Sequence, residues 1–143
     1  MSQQHQQQQH RPLKEVNWQH LADKAGPYPV DAFQFVRDGL SYSAQRVHED
    51  VENRAEQDRH ITGQQLCLGL RDFAIERYGL MAVAVLAHWH IRRTDDFGRI
   101  VFAMVSCGLL SKTDDDSLDD FRAVFDFDEA FSASEVLTNI AAN

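Results

Sequence analysis

Residues 80–89 (LMAVAVLAHW) are apolar on nearly every side. A helix without a polar face must be covered from several directions, so this stretch predicts a buried helix at the centre of a core. The neighbouring patterns supply the cover. Thr62 followed by Gln65 makes a capping box, Leu66, Leu70, Phe73 and Tyr78 form an apolar stripe, and Gly79 is a natural stop. After a turn at Ile91, Arg92 and Arg93, Thr94 is placed to cap another helix, with Asp95 and Asp96 favourable at its N-terminal dipole. Phe97, Ile100, Val101, Met104 and Val105 make its inner face, and Gly108 closes it.

Upstream, Asp31 is an N-cap candidate for a helix over 31–48. Its stripe is Phe33, Val36, Leu40 and Val47, with Ala44 filling the gap. Residues 13–25 predict a shorter helix, ended by Gly26 and Pro27. Residues 1–12 are a Gln/His-rich run with nothing apolar to bury, which predicts a disordered tail. Residues 49–59 alternate acid and base, as either a solvated helical extension or a loop. The organisation is therefore a tail over 1–12 and a single globular domain over 13–143.

Beyond Gly108 the period changes. Residues 109–112 look like a short strand, and 114–120 (DDDSLDD) like a polar turn. Phe121, Ala123, Phe125 and Phe127 alternate with Arg122, Val124 and Asp126, the two-residue period of a half-buried strand. Ser132 with Glu135 suggests a final capped helix carrying Val136, Leu137 and Ile140. The order helix, turn, helix, strand, acidic loop, strand predicts an α+β but mostly helical fold. Its centre is a winged-helix-like module over about 61–127, a helix-turn-helix followed by a β-hairpin. The helix at 31–48 packs on it as an additional N-terminal element. A faint internal echo, F-x-x-V-x-x-G-L, links Phe33 to Leu40 with Phe102 to Leu109. Two amphipathic helices produce such a match by chance more often than by duplication.

Several segments carry a family resemblance: 28–33 (YPVDAF), 63–66 (GQQL), 96–102 (DFGRIVF), 108–117 (GLLSKTDDDS) and 125–127 (FDF). Over about residues 28–131 the chain resembles conserved hypothetical proteins restricted to the planctomycete and verrucomicrobial lineages. The resemblance implies no activity. The family pattern has glycine just before Ile91, where this chain has His90.

Charge narrows the function. Formal charge is −8 over 143 residues, with 43% hydrophobic and 25% charged residues, an ordinary globular mixture. A negative chain is repelled by phosphate backbones and anionic lipid. Cys67 and Cys107 sit in apolar stretches as small hydrophobes, too far apart for a redox pair. No apolar run approaches ~18 residues, and the Gln/His-rich start is no secretory signal. These features predict a cytoplasmic protein.

Sites of chemistry are scarce. His88 and His90 are two apart, which on a helix points them to different sides. His48 and His60 belong to no ligand-spaced pair, and His5 and His10 read as part of the solvated tail. The run Asp114, Asp116, Leu118, Asp120 lacks the glycine and terminal glutamate of an EF-hand loop, and Phe125 stands where the glutamate belongs. Asp96, Phe97 and Gly98 spell a kinase triplet without the rest of a kinase, and Ser106 with Cys107 has no evident base. The expectation is a non-enzymatic protein with no cofactor and no metal.

Residues 112–131 hold eight acids against Lys112 and Arg122, a local charge of −6. Such a surface suits a basic protein partner, through Asp114, Asp115, Asp116, Asp119 and Asp120. The phenylalanines at 121, 125, 127 and 131 read first as core. On this reading, changing Asp115, Asp116 and Asp119 together to Asn leaves the fold as stable as before. The alternative is a nucleic-acid-binding transcriptional regulator that uses the 94–108 helix, with Arg92, Arg93 and Arg99 as its basic contacts.

Overall fold

In a computed structural model of the chain, residues 1–3, 17–49 and 60–142 are described. Most of the tail expected at 1–12, the first residues of the helix expected at 13–25 and most of 49–59 lie outside them. So do His5, His10 and the side chain of His48.

The described chain is mostly helical. It runs β1 (Ser2–Gln3), α1 (Trp18–Ala25), α2 (Val30–Glu49), α3 (Gly63–Tyr78), a 3-10 turn (Gly79–Met81) and α4 (Ala82–His88). It continues through α5 (Thr94–Ser106), β2 (Leu110–Ser111), a second 3-10 turn (Leu118–Phe121), α6 (Phe127–Ala130) and α7 (Ala133–Ala142). The capping box read at Thr62 forms: Thr62 Oγ1 accepts from the Gln65 amide at 3.1 Å, and Gln65 Oε1 accepts from the Thr62 amide at 2.9 Å. Ser132 likewise accepts from the Glu135 amide at 3.3 Å, at the start of α7.

α2 and α3 cross closely because small residues meet at the crossing. A Cβ placed on Gly69 would lie 1.9 Å from Ser43 Oγ, and one on Gly39 would lie 2.3 Å from a Leu70 methyl. Ser43 is buried, and its hydroxyl donates to the Gly39 carbonyl at 2.7 Å, within its own helix. Beside the crossing, Gly39 lies against Leu70 and Phe73, and the rings of Phe35 and Tyr42 stand 5.3 Å and 5.1 Å from that of Phe73.

Residues 80–89 are not the central helix. Leu80 lies in the middle of a 3-10 turn, Met81 is 61% exposed, and α4 is seven residues long, with Ala82 and Leu86 as its fully buried positions. A helix of under two turns has an inner face of only two residues or so. The core is built instead around α3, where Gly63, Leu66, Cys67, Leu70, Phe73, Ala74 and Ile75 are buried, and α5, where Thr94, Asp96, Phe97, Gly98, Ile100, Val101 and Met104 are. Leu21 and Ala22 of α1 belong to the same core.

α4 and α5 end in the same way. His90 N–H donates to the Ala87 carbonyl at 2.9 Å, and Ile91 N–H to that of Leu86 at 2.9 Å. At the end of α5, Gly108 N–H donates to Val105 at 3.0 Å and Leu109 N–H to Met104 at 2.9 Å. Both are Schellman motifs, which require a left-handed residue at their centre. Gly108 meets that requirement with φ 79°, and His90 adopts φ 66° in the same role. Gly39 stands in the middle of α2, so the two glycines of the F-x-x-V-x-x-G-L echo do different work.

The expected β-hairpin does not form, and with it goes the wing of the winged helix. β2 forms within 109–112, but it pairs antiparallel with β1, Ser2 opposite Ser111 and Gln3 opposite Leu110. Residues 1–3, expected in the tail, are thus part of the fold, with the Met1 side chain buried. Residues 122–126, between the second 3-10 turn and α6, are irregular, and backbone groups of 121–124 find partners on α5 instead of a strand. Thr94 Oγ1 donates to the Phe121 carbonyl at 2.7 Å and accepts from the Val124 amide at 3.0 Å, and Asp95 accepts from the Ala123 amide at 3.4 Å. Asp126 caps α6, accepting from the Glu129 amide at 3.1 Å.

Candidate interaction surface

The acidic loop between β2 and Phe121 has an inner and an outer side, and its aspartates divide between them. Phe121 anchors one end. It is fully buried, and a Cβ on Gly63 or Gly98 would come within 2.9 Å or 2.8 Å of it respectively, so it fills the space between the starts of α3 and α5. Asp120 serves locally, accepting from the Ser117 amide at 3.0 Å.

Asp116 anchors the other end. It is buried, and its Oδ2 accepts from the Thr113 amide at 2.9 Å and stands 2.8 Å from His60 Nε2. The Met1 amino group lies 3.8 Å from the same oxygen and 3.0 Å from His60 Nε2, and it donates to the Ile61 carbonyl. The His60 nitrogen serves one neighbour at a time: protonated, it donates to the carboxylate; unprotonated, it accepts from the amine. Burial alone would raise the Asp116 carboxyl. The Thr113 amide, His60 and the nearby amine outweigh it and hold the carboxyl below its ordinary range.

The outer side carries Asp114, Asp115, Leu118 and Asp119. All four are exposed, Leu118 at 52%. Arg122 lies 3.6 Å from Asp119, but both side chains are at least 74% exposed. An ion pair in so much water contributes little, so the Asp119 charge stays available. The described loop thus presents three outward carboxylates around an exposed leucine, on a backbone fixed by Phe121 and Asp116. The sequence predicts all five aspartates as one outward surface; the structure places Asp116 and Asp120 in the loop's own architecture. Leu118 was missed, and its place amid five acids with no partner in an apolar period was the available signal.

The three arginines of the alternative reading stand near the start of α5. Arg92 and Arg93 are exposed, and their backbone amides donate to Asp96 Oδ2 at 2.8 Å and 3.0 Å. Arg99 Nη1 lies 2.8 Å from Asp96 Oδ1 and 3.4 Å from the Tyr28 hydroxyl, which itself donates to Asp96. Burial, helped by the Asp96 contact, pushes the Tyr28 hydroxyl up to about 12, so it remains a donor. Asp96 therefore ties α5 to the chain ahead of α2. No local signal pairs Asp96 with Tyr28, since 68 residues separate them.

The remaining candidates stay apart. His88 and His90 are exposed at the end of α4. Among the described residues, no group of three or more His, Cys, Asp or Glu side chains is placed to hold a metal ion, and no helix is long and apolar enough to cross a membrane. Cys67 and Cys107 are free thiols, Cys67 fully buried and Cys107 half-buried. Of the phenylalanines, 121, 127 and 131 are buried, while Phe125 is half-buried and stacks on Phe127 at 5.4 Å. Comparison with protein-family models, curated proteins and solved structures gives no match.

Proposed function

We propose that this protein is a non-enzymatic protein-interaction module whose acidic loop docks a basic partner, in a cytoplasmic setting. The observation that supports this reading is the division of labour within the loop. Asp116 and Phe121 lock the backbone from beneath, which leaves Asp114, Asp115 and Asp119 displayed around Leu118. A fixed backbone lowers the entropy lost on docking. The three charges steer a cationic partner, and the leucine gives it an apolar anchor. Nothing comparable favours the nucleic-acid alternative. Most of α5 is buried or half-buried, its exposed residues are Arg99 and Ser106, and the Arg99 guanidinium lies on Asp96.

Affinity capture with the full chain from native cells tests the proposal, run at low and high salt beside a variant with Asp114, Asp115 and Asp119 changed to Asn. The expected result is a partner with a basic surface that is retained at low salt, weakened by salt and lost with the variant. Equal recovery of every bound protein by the wild type and the variant would overturn the docking role of this loop.

A further inference from the structure

We draw no further inference here: the strongest candidate, the exposed apolar patch made by Leu80 and Met81 of the 3-10 turn before α4 together with Leu137 and Ile140 of α7, carries nothing, because nothing in the structure shows what covers it.

Discussion

His90 holds a backbone position that glycine fills more cheaply. A left-handed L-residue costs roughly 1–2 kcal/mol, and at the end of α5 the same motif is closed by Gly108. His90→Gly is expected to raise stability by about 1 kcal/mol, roughly 2–4 °C in Tm for a chain of this size. Gly108→Ala should lower it by a similar amount, and thermal unfolding followed by circular dichroism reads both. Asp116 behaves in the opposite sense to its neighbours. Asp116→Asn weakens charged hydrogen bonds in a buried place and should cost about 1–3 kcal/mol, whereas Asp114→Asn at the exposed tip should stay within about 0.5 kcal/mol. Because folding lowers the Asp116 carboxyl below its unfolded value, its contribution is complete above that value and disappears as pH falls through the folded one. Urea unfolding of the wild type should therefore lose stability below about pH 4 more steeply than that of Asp116→Asn; parallel curves would remove the carboxylate from this role.

At the scale of elements, the α2–α3 crossing sets the tightest constraint. Helix propensity alone predicts that Gly69→Ala stabilises by about 1 kcal/mol. The 1.9 Å approach to Ser43 Oγ reverses the sign, because a crowded helix pair must separate, at a cost of about 1–3 kcal/mol. Chemical denaturation gives the answer directly, and Gly69→Ala combined with Ser43→Ala should recover part of the loss. The acidic loop responds differently on its two sides. Changing Asp114, Asp115 and Asp119 together to Asn removes mutual repulsion between exposed charges, a modest term with a Debye length of ~8 Å at physiological salt. The Tm is expected to stay level or rise slightly. Had Asp116 been included, as the uniform acidity of 114–120 suggests, the loss at His60 and Thr113 would mask that gain. A marked fall in Tm for the outer three would mean that they, too, are built into the loop.

The molecule as a whole is organised by one core. Cys67, on the inner face of α3, is enclosed by it together with residues of α2 and α5. Burial, with Asp95 adding to it, pushes the thiol well above its ordinary range. It is fully buried in the folded chain, so in a Cys107→Ser background it is expected to react with thiol reagents only through global unfolding. Its labelling rate should then follow the unfolding equilibrium across a urea series, and labelling that is independent of urea would show a local opening route into the core.

Local signals in the chain determined where α3 begins and ends, where α5 ends and where α7 begins. Thr62 with Gln65, Gly79, Gly108 and Ser132 with Glu135 act within a few residues of themselves, so the capping groups and their targets are neighbours in the sequence. What lies at the centre is not a local property. Residues 80–89 are more uniformly apolar than α5, yet α5 buries more of its residues, because its length and position let α1, α2, α3 and the Phe121 turn all reach it. The alternation at 121–127 matches a strand, but backbone groups pair with whatever donors and acceptors the tertiary fold brings to them. Here those came from Thr94 and Asp95, about 28 residues earlier. The acidic surface was legible as composition. Which aspartates face water depends on tertiary structure as well as on local turns: the Thr113 amide is a near neighbour of Asp116, but His60 and the Met1 amino group, which help enclose its carboxylate, come from far away in the chain.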